Sequence, residues 1–533
     1  MTSVTARRDV QSVDVVVVGA GFAGLYMVHR LREAGFSVKG IEAAADVGGT
    51  WYWNRYPGAR CDIPSLLYSY TWSDDVRRDW RWSEKYATQP EILAYAEFVA
   101  DRYDLRRSFL FETRVTAATF DETAARWRVE TNRGQVFDAK FCVMATGCLS
   151  VPREPAIPGA ERFKGETYVT GRWPHEGVDF KGKRVAVIGT GSSAIQSTPL
   201  IAQDAAHVYV LQRSPNFSLP ALNAPLSDAE VADFAANFDT YRAALKAGEP
   251  GIPMPPAGWK PNDAELAEMV QLLWNGWGLV STTMIPDLIR DERINDAASD
   301  FVRGKIAEIV ADPDVARRLT PRGNPTTAKR ACVATDYYAT FNRDNVTLVD
   351  LREAPIETIT ETGVKTAAGE IAVDVIVFAL GFDAMTGALT RIDIRGRDGR
   401  LLREAWAEGP KTYLGLSVTG FPNLFTVTGP GSPSVLTNVL TAGEQHVDWI
   451  MDAIQHVQNR QAKAIEATET AQEDWVAHVN EEADKTLFPR AASWYMGANV
   501  PGKPRVFMPY VGEGYKKRID AVAADDYAGF AVG

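Results

Sequence analysis

Lys183–Arg213, KRVAVIGTGSSAIQSTPLIAQDAAHVYVLQR, reads as a compact strand–turn–helix–strand unit. An apolar strand runs to Ile188, glycines form a turn, a helix starts at about Ser192, and a second strand covers His207–Leu211. Gly189 allows the tight turn, Gly191 lets a pyrophosphate approach the backbone, and Ala194 keeps helix and strand close. Thr190, Ser192, Ser193 and Gln196, at the turn and in the start of the helix, join the glycines as candidate nucleotide-binding residues.

The unit has a near copy upstream. Val13–Glu42, VDVVVVGAGFAGLYMVHRLREAGFSVKGIE, carries Gly19, Gly21 and Gly24 in the turn. One such pattern is a weak signal, because glycines also join strands to helices where nothing binds. Two of them with opposite chemistry at the second strand are a strong one. In the first unit Glu42 closes that strand, and a carboxylate there accepts hydrogen bonds from a ribose diol. In the second, the same place holds Gln212, followed at once by Arg213. Losing the acid and gaining a base suits a ribose that carries a 2′-phosphate. The pair implies FAD in the first unit and NADPH in the second.

The rest of the composition is that of an ordinary soluble protein. At 533 residues the chain exceeds one core, so two or three domains are expected. Hydrophobic residues make up 46% and charged ones 23%. A net charge of −11 argues against nucleic acid or an anionic membrane as a partner. No apolar run approaches the roughly 18 residues that span a bilayer. Arg7-Arg8 looks like the start of a twin-arginine export signal, but the apolar run after it contains the first glycine turn and reads as a buried strand. Cys61, Cys142, Cys148 and Cys332 form no CxxC pair and no metal spacing. That pattern fits a reducing cytoplasm, predicts no metal site, and removes the flavin disulfide reductases, which need a paired redox thiol.

Along the chain, a polar tail precedes the first unit. Gly48–Asp62, GGTWYWNRYPGARCD, packs too many aromatics, glycines and charges for a regular amphipathic helix or strand. It reads as a structured loop against a flat aromatic ligand, with a core-capping loop as the bland alternative. Residues 90–103 read as a helix, with Ile92, Leu93, Tyr95, Ala96 and Val99 at helical spacing and Pro90 near its start. Residues 112–137 alternate like antiparallel strands with a turn near Asn132-Arg133-Gly134. Asp138–Met144 reads as a buried strand leading to Ala145-Thr146-Gly147. The proline- and glycine-rich stretch 151–160 marks a first interdomain crossing, and 373–379, leading to Leu380-Gly381-Phe382, marks the return. Between them, Phe301, Val302, Ile306 and Ile309 exemplify the helical spacing of 221–320. Gly429–Ser434 is a loop of tight turns before a helix start, and Val447, Ile450, Met451, Ile454 and Val457 form a core stripe. The expected fold is α/β, with two Rossmann-like dinucleotide-binding domains and a helical insertion. The FAD domain would take 1–150 and 385–533, the NADPH domain 151–220 and 325–384, and the insertion 221–324.

These features resemble the type I Baeyer–Villiger monooxygenases, the cyclohexanone and phenylacetone monooxygenase group of flavoproteins, over nearly the whole chain. Gly49–Asp62 fits that family's G-x-W-x-x-x-x-[FY]-P-[GM]-x-x-x-D pattern at every fixed position. Phe163–Pro174 lies where the family carries F-x-G-x-x-x-H-x-x-x-W-[PD], with Val169 in place of the histidine. Lys329-Arg330 followed by Tyr337-Tyr338, GPGSPSVLTN at 429–438, and Ser493-Trp494 match as well. Ala331 and Leu380 stand where relatives often have proline and threonine.

The resemblance implies an NADPH- and O2-dependent enzyme that inserts one oxygen atom beside a ketone carbonyl, giving an ester or lactone by way of a C4a-peroxyflavin. The oxidant's distal oxygen must stay anionic to attack the ketone, and a guanidinium suits it because it stays protonated. Arg330 matches the catalytic arginine, and Asp62 the acid that pairs with it, since a buried arginine needs a counter-charge. A pair that merely joins domains is the structural alternative. Arg213 and Lys329 match residues at the 2′-phosphate, with Ser214 beside them, and Trp494 one that contacts the nicotinamide half. Thr50, Trp51, Asp62, Tyr68, Thr437 and Asn438 join Gly19, Gly21, Gly24 and Glu42 around FAD. Leu149, Val435, Leu436, Phe507 and Met508 are pocket-lining candidates by their neighbouring motifs. The expected partners are a small-molecule ketone and O2, with the chain a monomer or weak oligomer in the cytoplasm. Two other readings stay open. A flavin monooxygenase of nitrogen or sulfur nucleophiles would need a protonated hydroperoxide and no oxyanion partner. A silent FAD- and NADPH-binding sensor has Val169 as its one supporting feature.

Overall fold

Val15–Val18 is apolar on both faces because the strand that contains it is flanked on both sides. In the computed structural model, which describes residues 10–249, 251 and 260–533, β1 (Val10–Val18) ends in four buried valines. The polar tail and Arg7-Arg8 lie outside the described residues, apart from the tail's last few positions in β1. The glycine turn leads into α1 (Phe22–Glu33) and then β2 (Val38–Ile41), as the first nucleotide unit requires. α2 (Gln89–Arg102) starts on Pro90, where a missing N–H costs nothing. β3 (Phe109–Leu110), β4 (Val115–Asp121), β5 (Arg126–Thr131) and β6 (Val136–Met144) follow. The alternating stretch thus holds a turn beyond the expected one. The Asp121 carboxylate accepts from the N–H groups of Thr123 and Ala124, and Ala125 takes φ +52°. Then come β7 (Glu166–Val169), β8 (Arg184–Ile188), α3 (Ser192–Asp204) and β9 (His207–Gln212).

Helices α4 (Asp228–Lys246) and α5 (Glu292–Ile309) belong to a mainly helical stretch, each opened by a side-chain cap, Ser227 and Asp291. Ser218–Pro220 and Cys332–Ala334 pair in parallel and clip the base of that stretch together. The chain closes with β10 (Val346–Asp350), β11 (Val375–Phe378), β12 (Asp393–Arg395), β13 (Leu424–Thr426), α6 (Val439–Asn459), α7 (Glu469–Asp484) and α8 (Tyr515–Ala524).

The strands make two main sheets. The first has the order β12-β4-β5-β6-β1-β2-β3, with β13 also on β6; β1 pairs in parallel with β2 and β6, while β4, β5 and β6 form an antiparallel run. The second is all parallel, in the order β10-β9-β8-β11-β7. In both, the glycine turn leaves the carboxyl end of a central strand, the end where open α/β sheets bind ligands. α1 packs on α6 in the first half, and α3 lies against β8 and β9 in the second.

Candidate active site

The first turn is closed tightly enough that only glycine fits. Gly19 has φ +110°, and a Cβ there would sit 2.4 Å from the Ala145 carbonyl oxygen. Ala145-Thr146-Gly147, the exit from β6, therefore lies directly against the turn. Glu42 is buried and accepts from the N–H groups of Ala20 and Ala44, both at 2.7 Å. Burial raises its pKa, and these backbone donors oppose the rise. The aromatic loop is ordered by its own polar groups: Trp51 Nε1 donates to Tyr68 Oη at 3.2 Å, and Gln89 Nε2 donates to the Trp51 carbonyl at 2.5 Å. One helical turn, Thr50–Trp53, forms inside it, launched from Gly49 at φ +53°. The reading of the loop as wholly irregular misses that turn. Asn438 caps α6 and donates Nδ2 to the Leu67 carbonyl at 2.6 Å; Thr437 beside it is exposed. Gly21, Gly24, Thr50, Trp51, Tyr68 and Asn438 thus converge around the start of α1.

At the second turn, a Cβ on Gly189 would lie 2.3 Å from the Ala379 carbonyl oxygen, whereas one on Gly191 would meet no protein atom within 4 Å. Thr190 Oγ1 donates to the Ser214 carbonyl at 2.7 Å, Ser193 shares a 3.1 Å hydrogen bond with Thr170, and Ser192 faces the Cys332 sulfur at 3.4 Å. Gln212 is turned inward: it donates to the Arg318 carbonyl at 2.8 Å, and its Oε1 has no hydrogen-bond partner among the described residues. Arg213, by contrast, is exposed, and Lys329 is half-buried beside it; burial and then the Arg213 charge lower the Lys329 pKa. Neither forms an ion pair among the described residues. Gln196 departs from the group, because its amide accepts from Tyr56 Oη at 2.8 Å and donates to the Arg60 carbonyl at 3.2 Å. It latches the aromatic loop of the first half onto α3.

Between the two turns, Arg330 meets Asp62 side-on. Nε donates to Oδ2 at 2.9 Å and Nη2 to Oδ1 at 3.0 Å, with side chains 20% and 21% exposed. Nη1 donates to the Val435 carbonyl at 2.5 Å. Burial opposes the guanidinium charge, but Asp62, with Tyr495 nearby, outweighs it and holds the pKa above the usual arginine value. Tyr495 is absent from the residues read from sequence. Its only signal there is adjacency to Trp494, whose ring lies 4.3 Å from it. Leu149, Val435, Leu436, Phe507 and Met508 gather with Cys148, Met385 and Phe488 in one apolar cluster that also contains Tyr495. Val169, at the end of β7, pairs with Phe378 and packs against the Ile188–Phe378 cluster; its neighbour Thr170 holds Ser193. Among the described residues no three acidic, histidine or cysteine side chains form a metal-holding group, and no helix is long and apolar enough to cross a membrane.

A family model described as pyridine nucleotide-disulphide oxidoreductase matches residues 13–237. All four cysteines are buried and free, so the match concerns the nucleotide-binding fold and no redox disulfide. A Baeyer–Villiger monooxygenase of Pseudooceanicola batsensis is 42% identical over 526 residues, 96% of this chain and 95% of the relative. The phenazine N-monooxygenase PhzNO1 of Lysobacter antibioticus is 39% identical, covering 98% and 97%. Among solved structures, an oxidized steroid monooxygenase bound to NADP is 50% identical with a TM-score of 0.93, covering 98% of this chain and 99% of that one. A complex of OTEMO with FAD and NADP is 40% identical with a TM-score of 0.93, covering 98% and 100%.

Proposed function

We propose how the site works from one premise: the chain belongs to the Baeyer–Villiger monooxygenase family. It binds FAD and NADPH and uses O2 to insert one oxygen atom beside a ketone carbonyl, giving an ester or lactone. When bound, the flavin activates oxygen with electrons from the nicotinamide. The chain's own residues hold, orient and shield.

In this reading the Gly19 turn and Glu42 hold the adenosine end of FAD, and Trp51, Tyr68 and Asn438 shape the flavin end. The Gly191 face takes the NADPH pyrophosphate, Arg213 and Lys329 its 2′-phosphate, and Trp494 its nicotinamide half. Arg330 is the positive partner of the anionic oxidant and of the ketone oxygen as charge builds on it. Asp62 fixes the guanidinium plane from one edge, so donors on the opposite side stay available. Tyr495 and the Val435 carbonyl complete the cradle, and the Leu149–Met508 cluster keeps water from the reacting groups. The division into an FAD domain (1–150, 385–533), an NADPH domain (151–220, 325–384) and an insertion (221–324) is supported by the two sheets and the β clip. Four buried free thiols support a reducing compartment, the cytoplasm, and we read the chain as a monomer or weak oligomer.

The observation that carries the reaction is the bidentate Asp62–Arg330 pair beside an apolar cluster. A second reading, oxidation of a nitrogen nucleophile, is favoured by the phenazine N-monooxygenase relative. That chemistry wants a protonated oxidant, which a guanidinium held permanently charged does not promote. Product analysis on a panel of ketones, sulfides and aromatic amines, with NADPH consumption counted, tests the choice. Ester formation coupled to NADPH is expected; N-oxide with no ester from any ketone would reverse it.

A further inference from the structure

We propose that Arg153 is a third cation at the 2′-phosphate of NADPH. The inference rests on the assignment of Arg213 and Lys329 to that phosphate and extends the same site. Arg153 lies in the crossing after β6, and its place is set by backbone. Its N–H donates to the Gly381 carbonyl at 2.9 Å, and Pro152 bridges Phe382 in antiparallel fashion. The guanidinium reaches back, with Nη1 at 3.4 Å from the Leu380 carbonyl. Leu380 follows Ala379, whose N–H donates to Ile188 and whose carbonyl abuts Gly189. On the other side of the same turn, Thr190 pins the Ser214 carbonyl and with it the Arg213 segment. Arg153 and Arg213 therefore flank one glycine turn.

The charges in this corner are not balanced by the protein. Burial and then the Arg213 charge lower the pKa of both Arg153 and Lys329. None of the three forms an ion pair among the described residues. The acids nearby are committed elsewhere: Glu154, the next residue, binds Arg172 at 2.7 Å, and Asp383, which favours the Arg153 charge, binds Lys503 at 2.8 Å. Arg213 repels each of the other two, none of the three is in an ion pair among the described residues, and an anion placed beside them relieves that repulsion. A dianionic phosphate monoester fits, and the 2′-phosphate is the one such group on NADPH.

The test is isothermal titration of the FAD-loaded protein with 2′,5′-ADP and with ADP, which lacks the 2′-phosphate, for wild type, Arg153→Gln, Arg153→Lys and Arg213→Gln. FAD content and thermal unfolding of each variant monitor folding. Arg153→Gln should weaken 2′,5′-ADP about five- to twentyfold and leave ADP within about twofold, with Arg153→Lys intermediate. Equal weakening of both ligands, or unchanged 2′,5′-ADP binding by Arg153→Gln while Arg213→Gln loses it, overturns the inference alone. Unchanged binding by Arg213→Gln removes the reading on which it rests.

Discussion

Asp62 and Arg330 stand 268 residues apart in the chain and are joined by two hydrogen bonds, Nε to Oδ2 at 2.9 Å and Nη2 to Oδ1 at 3.0 Å. One comes from the aromatic loop after β2, the other from just before the Cys332–Ala334 strand of the clip. A guanidinium gripped along one edge keeps its direction when substrate arrives, and the reorganisation cost falls on folding, not on catalysis.

Arg330→Ala should leave FAD bound and still reducible by NADPH, while ester formation falls about 10²–10³-fold and hydrogen peroxide appears in its place. Arg330→Lys should rescue poorly, because an ammonium lacks the planar fork. Asp62→Ala should give a milder defect of the same kind, and Tyr495→Phe a smaller one still. Stopped-flow reduction with peroxide and ester yields separates these outcomes. Normal ester yield from Arg330→Ala would remove the mechanism.

Coenzyme preference should follow the unpaired cations. Arg213→Ala or Lys329→Ala should raise the NADPH KM about tenfold or more and leave the NADH KM nearly unchanged. Steady-state kinetics with both coenzymes reads the split, and equal losses would assign these side chains a different task.

Val169 sits in an apolar cluster with Phe378, so neither proton transfer nor hydrogen bonding is available at the family's histidine position. Val169→His should change turnover by less than about tenfold, or 1.4 kcal/mol. A wild type inert toward ketones, and activity gained on that substitution, would favour the silent-sensor reading.

Stability should depend on pH through Glu444. Burial pushes its carboxyl up to about 8, even though the Thr71 N–H donates to it at 2.8 Å and the Thr71 hydroxyl adds a second bond. A folded-state pKa above the unfolded one means stability is intact below the ordinary carboxyl range. It is lost as pH rises to and through about 8, by roughly 3–5 kcal/mol in all. Glu444→Gln, which copies the protonated acid, should flatten that decline in urea unfolding at pH 5–9. His446 acts at the other end: buried and held down to about 3, it costs stability as pH falls below the usual imidazole range. An unchanged alkaline slope in Glu444→Gln would assign the decline to other groups.

How much of this was legible beforehand depended on range. The two glycine turns, α1, α3 and the stripe on α6 were readable because helix period and turn chemistry are local. The contacts made by long-range docking were not. That Gly19 and Gly189 lie against the exits of β6 and β11 was not readable, because each contact joins segments more than 100 residues apart. Tyr56 matches a motif position, yet nothing near it in sequence says that its hydroxyl goes to Gln196, or that Gln196 is spent as a latch. Tyr495 carries no pattern of its own, and its value comes from where Arg330 arrives. Gln212 was readable as a lost acid, but its inward turn follows from Arg318, more than 100 residues away.

The same separation turns synthesis into a clock. With about 5–20 residues made each second, the 268 residues between Asp62 and Arg330 take on the order of 13–54 s. Tyr495 comes later still. β12 and β13, which the first sheet also needs, emerge only in the last third of the chain. A nascent chain can thus display a glycine turn well before it owns the guanidinium that Asp62 grips. The Asp62–Arg330 pair and its Tyr495 neighbour are complete only once residue 495 has been made.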